Sequence, residues 1–441
     1  MKKFLAISLF FLVFGACAAW SEDLTWNTHK FPNGFTLVTK EVHSHPSCSV
    51  HLFVGTGSTN EDPRINGISH FYEHIFFKGT KRRTSTQMKS EIEDYGGDLN
   101  GATYRDYTEF IVDIPSVYVD KAIDLLMDAF QNATLDPIEL EKERKVVLDE
   151  VSLDAANPQR RLSDLFQKAI YTTHPYRFPI AGSPESVKRI TRDDLLEWKK
   201  KFYVPANAYL IVVGDIDTKT IEQQVEKCFN SDVAETFTPL VFTAEPPKSH
   251  PVIQETNEQV NQAFFELGYL VAGLDTPDDI YPLDVLTFML GYGRSSILTR
   301  ELKDSLHLAT NATADFLTQK YPSTLQIEVV STPEQVEPCK KRILDIITRI
   351  RKGDIDPSEI ERAKTLLEGV YTLGNQTNSG KVSTIGFYVS MGAGSFAESY
   401  LSHIRKVTKE DIMRVSQKYL QDNYVMTVFL PESSHPNPKT P

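Results

Sequence analysis

Cysteine is scarce in this chain: four in 441 residues, at positions 17, 48, 228 and 339. They lie far apart and show no C-x-x-C spacing, so neither a disulfide framework nor a cysteine metal site is expected. Long apolar runs are scarce too. Beyond the N-terminus no stretch reaches the 18 or so apolar residues that a membrane-spanning helix needs. Positive charge is in deficit, with 47 Lys and Arg against 59 Asp and Glu and a formal net charge of -12. The longest compact basic run is "KGTKRR", residues 78–83. Phosphate backbones are held by clustered Lys and Arg, so the composition argues against a nucleic-acid partner.

What is present fits a globular protein. With 41% hydrophobic and 24% charged residues, the chain has apolar material for two cores, and its length suits two domains of about 200 residues each. The first nineteen residues stand apart. "MKK" is a positive start, "FLAISLFFLVF" an apolar run, and Ala16-Cys17-Ala18 a small-residue cleavage site, together the pattern of an export signal. The expected destination is the bacterial periplasm or cell surface. "FGAC" also resembles a lipobox, with Phe14 where Leu is usual, which makes a lipid anchor on Cys17 the less favoured alternative.

Two distant stretches read as copies. "ITRDDLLEWKKKFYVPANAYLIVVGD" from Ile190 and "VTKEDIMRVSQKYLQDNYVMTVFLPE" from Val407 share a Thr, an acid three residues on, helical apolar spacing, an aromatic residue and an apolar strand. Thr191 with Asp194 and Thr408 with Asp411 are capping-box helix starts. Pro-rich, aperiodic "FTPLVFTAEPPKSHP" separates the copies as a linker. The expected division is a signal at 1–19, domains at 20–236 and 252–435, a linker at 237–251 and a tail at 436–441. The expected fold class is α+β: two homologous α/β units, each a mostly antiparallel or mixed sheet covered by helices on one face.

One motif carries chemistry. "HFYEH", residues 70–74, places His70 and His74 at i and i+4 on one helix face, as two imidazoles reaching one zinc ion require. Glu73 adjoins that face, within reach of a water at the metal. A bland alternative is a surface helix with two histidines. A third ligand must come from elsewhere, and "EKERKVVLDEVSLD" supplies a candidate. Glu143 and Glu150 lie seven residues apart and share a helix face, while Val146 and Val147 help bury another. Glu150 is the expected third ligand, and Glu143 a carboxylate behind the ligands that orients a histidine. His43, His45 and His51 lack a second histidine at helical spacing and are expected to be solvated or packed.

With these residues the chain resembles the pitrilysin/insulinase-type zinc metallopeptidases, or inverzincins, whose motif is H-x-x-E-H followed by a distant glutamate. The resemblance is greatest to the half-size, processing-peptidase-like branch. It extends over the mature chain through "GTGSTNEDPRINGISHFYEHIFFKGT", "YGGDLNGATYRDYTEF", "ELEKERKVVLDEV" and "HPYRFPIAGSPESVKRIT". It implies one Zn2+ per chain held by His70, His74 and Glu150, with Glu73 as general base of a zinc endopeptidase acting on peptides or unfolded segments. It implies an edge strand in "GGDLNGATYRDYTEF" that receives an extended peptide along Asn100, Gly101 and Ala102. For Asn100 the competing role is a turn residue bonded to its own backbone. Where the family usually has Asn-Ala, this chain has Asn100-Gly101, and the missing methyl is expected to loosen the packing. His174 falls in a family block and is expected to be structural.

The chain departs from the family in "ELKDSLHLAT", residues 301–310. Leu306 stands where an Arg is usual and Thr310 where a Tyr is usual. The resemblance therefore implies a heterodimer whose related partner supplies that pair, with a homodimer as the rival. Outside the enzyme class stand two alternatives: a non-catalytic assembly subunit and a peptide-capture module.

Overall fold

A computed structural model describes residues 25–229 and 237–432. The export signal, Cys17 and the C-terminal tail lie outside the described residues. The first half runs β1 (Asn27–Lys30), β2 (Thr36–Glu41), β3 (Ser47–Val54), α1 (Ile68–Phe76), α2 (Ser85–Asp94), β4 (Asp98–Thr103), β5 (Thr108–Pro115), α3 (Val119–Asn132), α4 (Pro137–Ala156), α5 (Pro158–Ile170), α6 (Pro184–Arg189), α7 (Arg192–Phe202), β6 (Ala208–Gly214) and α8 (Thr218–Cys228). The second runs β7 (Val252–Glu258), β8 (Ala263–Val271), α9 (Pro277–Gly291), β9 (Ala309–Phe316), β10 (Ser323–Ser331), α10 (Val336–Arg351), α11 (Pro357–Gly374), α12 (Asn378–Ser390), α13 (Gly394–Lys406), α14 (Lys409–Tyr419) and β11 (Val425–Pro431). The chain is α+β, with two mixed sheets covered by helices.

The sheet orders are β1-β2-β6-β3-β5-β4 and β7-β11-β8-β10-β9. The repeat read from the sequence is visible in them. β6 lies parallel to β2 and antiparallel to β3, just as β11 lies parallel to β7 and antiparallel to β8. Each is fed by a helix that opens on a true capping box. Thr191 and Asp194 exchange side-chain bonds with each other's backbone N–H, and so do Thr408 and Asp411. Such caps satisfy N–H groups that a helix start would otherwise leave unpaired.

Strand alternation divides each sheet into two faces. In β3, Cys48, Val50 and Leu52 join the core beneath the first half's own helices, with Phe71, Phe76 and Phe110. Phe76 stacks on Phe110 with ring centroids 3.6 Å apart, and burying each such ring stabilises the fold by roughly 2–3 kcal/mol. The other face is covered too, by one helix donated from the opposite half. α12 packs Val382 and Ile385 on Val38, Phe53, Ile211 and Val213 of the first sheet, while α5 packs Phe166, Ala169 and Ile170 on Val425 of the second. Glycine makes both approaches possible: a Cβ at Gly386 would sit 2.1 Å from Phe53 Cζ, and one at Gly268 would sit 2.6 Å from Phe166 Cζ.

Residues 237–251 carry no helix or strand, yet they are anchored. Buried Glu245 accepts the backbone N–H groups of Thr172, Thr173 and His174 at 2.7–2.9 Å. Burial alone would raise the Glu245 pKa, but these donors and the Thr172 hydroxyl bring it down to about 2.

Candidate metal centre

Helix α1 is placed by its own start. Gly67 adopts a left-handed backbone (φ 95°), and a Cβ there would meet the Ala181 carbonyl at 2.6 Å. The buried Glu61 carboxylate accepts the N–H groups of Gly67 (2.7 Å) and Ser69 (2.9 Å) and the Asn66 side chain (2.8 Å). An acid at the positive end of the helix dipole suits that role, although burial still raises its pKa to about 7. Ile68, Phe71, Tyr72, Ile75 and Phe76 face the core. The 3.6-residue period then turns His70, Glu73 and His74 towards α4 and β4.

α4 begins at Asp136, whose side chain accepts the N–H groups of Ile138 and Glu139. Nearly four turns on, it brings Glu150 to the two histidines. His70 Nε2 and His74 Nε2 stand 3.6 and 3.3 Å from Glu150 Oε2, and the three residues are the one such cluster among the described residues. Zinc bonds of about 2.0–2.2 Å at tetrahedral angles separate their donor atoms by roughly 3.4 Å, so the donor set fits a zinc ion. Burial, then the neighbouring His74, holds the His70 pKa down to about 4, which keeps that imidazole neutral and its lone pair available.

The other expected residues fall around this cluster. Glu143 is buried; its Oε2 lies 3.4 Å from His74 Nδ1 and its Oε1 2.7 Å from Lys78 Nζ. Glu73 is half-buried and burial raises its pKa. Its Oε2 accepts the Thr103 hydroxyl at 3.0 Å, leaving Oε1 for a proton. The position of Thr103 opposite Glu73 was not legible in the sequence: its signal, alternation along β4, emerges only once the register is known.

Among the described residues β4 pairs only with β5 and so forms an edge of the first sheet. Gly101 and Thr103 face Glu73, while Asn100 and Ala102 lie on the opposite side of the strand. Asn100 Oδ1 accepts its neighbour Gly101 N–H at 2.9 Å, the self-bonded role that competed with substrate contact. Two expectations are corrected. The space over Gly101 is not loose, because a Cβ there would stand 3.0 Å from both Cγ and Oε1 of Glu73. Val147 is buried as expected, but Val146 is 43% exposed, since it lies on the side of α4 turned away from the core.

His174 is packed among Tyr171, Tyr176, Phe242 and Tyr321. His43 and His45 are exposed, whereas His51 is buried, its Nδ1 2.7 Å from Glu109. Leu306 is exposed, and the Thr310 hydroxyl donates to the Val330 carbonyl at 3.1 Å. Neither position offers a charge or a phenol.

Known proteins resemble this chain over most of its length. The profile for insulinase (peptidase family M16) matches residues 36–183, and that for the peptidase M16 inactive domain matches residues 189–367. The chain belongs to the M16 peptidase family, and to its half-size type. It is 27% identical to the uncharacterized zinc protease YmxG of Bacillus subtilis over 407 residues, 92% of this chain and 98% of that one. It is 25% identical to the zinc protease PqqE of Helicobacter pylori over 404 residues, 90% of this chain and 91% of that one. A solved protease from Helicobacter pylori superposes with a TM-score of 0.88 at 24% identity, covering 92% of this chain and 99% of that one. No helix among the described residues is long and apolar enough to cross a membrane.

Proposed function

We propose that this chain is a zinc endopeptidase, the zinc held by His70, His74 and Glu150 and the base supplied by Glu73. The observation that carries this reading is the convergence of two imidazole Nε2 atoms and one carboxylate oxygen beside a Glu73 held at a single oxygen. Zinc in such a site supplies Lewis acidity, which acidifies a water and polarises a carbonyl. Glu73 Oε1 accepts the proton of the attacking water and passes it to the leaving amine nitrogen, while Thr103 keeps the carboxyl group aimed. Glu143 fixes the His74 ring through Nδ1, so that Nε2 points at the metal. The peptide adds to the free edge of β4 by main-chain bonds, which requires an extended, unfolded segment.

Leu306 and Thr310 leave the second half without a charged or phenolic donor at the positions where the family resemblance leads one to expect an Arg and a Tyr. A donor to a developing oxyanion contributes roughly 3–4 kcal/mol. We therefore assign the chain to a heterodimer whose related partner brings that pair into a shared chamber. The export pattern in residues 1–19 supports a location outside the cytoplasm for this chain.

The test is zinc content and peptide cleavage, with and without related chains from the same cell. About one zinc per chain and chelator-sensitive cleavage support the reading. A chain that binds zinc yet cleaves nothing in either setting is a capture or assembly subunit. Equal rates with and without a related chain would remove the heterodimer.

A further inference from the structure

The edge hairpins of the two sheets meet at their tips. By sheet order, β4 and β5 hold in the first half the places that β9 and β10 hold in the second, with β4 and β9 at the outer edges. Asp106 lies in the turn between β4 and β5, and its Oδ2 accepts the backbone N–H of Lys320, in the turn between β9 and β10, at 3.1 Å. The Tyr176 hydroxyl donates to the same carboxylate, 2.8 and 2.7 Å from its two oxygens. The hydroxyl oxygen in turn accepts the Tyr321 N–H at 3.3 Å. Tyr176 is fully buried, so removing the Asp106 carboxylate would strand a buried donor. One carboxylate thus joins the peptide-receiving hairpin of the first half to the equivalent hairpin of the second.

The rest of the tip is held as well. The carbonyls of Tyr104 and Arg105 accept the N–H groups of Ser58 and Thr59 at 3.1 and 2.9 Å, and the Arg105 guanidinium donates to the carbonyls of Tyr176 and Phe178. From this tip to the candidate metal centre the path is short. Thr103 and Thr108 are the last opposed pair of the β4–β5 ladder, and the Tyr104 N–H closes the turn on the Tyr107 carbonyl at 2.9 Å. Thr103 then holds Glu73 Oε2 through its hydroxyl. A displacement of Asp106 therefore reaches Glu73 through one closed turn, one ladder rung and one hydrogen bond, the kind of contiguous network that carries coupling.

We propose that Asp106 is a positioning residue of the peptidase: by pinning the β4–β5 tip to the second half, it sets the peptide-receiving edge and Thr103 at the height of Glu73. The inference rests on the peptidase reading for its kinetic test. The full-length, zinc-loaded chain is assayed on a quenched fluorescent peptide, with and without a related chain from the same cell. Four variants are compared with the native chain: Asp106→Ala, Asp106→Asn, Thr103→Val, and Asp106→Ala combined with Thr103→Val. Zinc content and melting temperature are measured for each.

Asp106→Ala should lower kcat about tenfold with zinc content unchanged, because a small misplacement of a catalytic group is costly. Asp106→Asn keeps an acceptor oxygen and should recover part of that loss. In the Thr103→Val background the bond to Glu73 is already gone, so Asp106→Ala should lower kcat by about twofold or less, while its effect on melting temperature stays the same. Full kcat in Asp106→Ala overturns the proposal. So does an equal tenfold loss in both backgrounds, which would make Asp106 a structural contact with no path to Glu73. If Asp106→Ala does not fold, Tyr176→Phe, which deletes one oxygen of the joint, takes its place. Hydrogen exchange is followed in parallel: the β4 amides paired with β5 should exchange about tenfold faster in Asp106→Ala, while β3 keeps its protection. If the native chain cleaves no peptide, the peptidase reading fails and exchange alone decides the joint: faster β4 exchange supports it, and unchanged exchange overturns it.

Discussion

The Thr103 hydroxyl reaches Glu73 Oε2 across 3.0 Å, tying the edge strand that would receive a peptide to the acid that would move its proton. Replacing Thr103 by Val removes the donor at nearly constant volume. In the proposed mechanism, kcat should fall roughly tenfold to a hundredfold, with zinc content intact and KM little changed. A Thr103→Val enzyme with full kcat would show that Glu73 is held by something else.

Glu143 joins His74 Nδ1 to Lys78. Carboxylates in this position typically contribute 10–100-fold to metal affinity. Titration of Glu143→Ala with a competing chelator should show zinc affinity weakened within that range, and excess zinc should restore part of the cleavage. Unchanged affinity would reduce Glu143 to a partner of Lys78.

Glu245 predicts a pH effect. Its pKa falls from an ordinary 4.5 to about 2 in the fold, so the unfolded chain binds the extra proton between those values. The stability contributed by the linker anchor is then complete above about pH 4.5 and lost as pH falls towards 2. Urea midpoints measured from pH 6 down to pH 2.5 should drop more steeply for the native chain than for Glu245→Gln. Parallel slopes would mean that the anchor has no titrating role.

The donated helix α12 gives a packing test. Because a side chain at Gly386 would collide with Phe53, Gly386→Leu should destabilise the protein by about 1–3 kcal/mol or more. Calorimetry should register a lower melting temperature, and the loss should be relieved in part by Phe53→Ala. A Gly386→Leu chain as stable as the native one would mean that α12 does not press on the first sheet.

Much of this was readable from residue order because it depends on local chemistry. The i,i+4 histidines, the heptad-spaced Glu143 and Glu150, and the capping boxes at Thr191 and Thr408 are all set within one or two helical turns. The pairing of Glu150 with the histidines was legible through the family pattern. Other features depend on register between distant strands and left no mark on local sequence. Thr103 facing Glu73, Asp106 meeting the Lys320 amide, and the exchange of α5 and α12 between halves are of this kind. Gly101 was misjudged because a glycine says that space is needed without saying what fills it.

The central claim is that His70, His74 and Glu150 hold zinc so that Glu73 can act as base. It is tested most directly by comparing the native chain with Glu73→Gln for zinc content and for cleavage of a quenched peptide library, each with and without a related chain from the same cell. The account predicts about one zinc in both and cleavage only in the native protein. Cleavage by Glu73→Gln at the native rate, or a native chain that takes up no zinc, would contradict it.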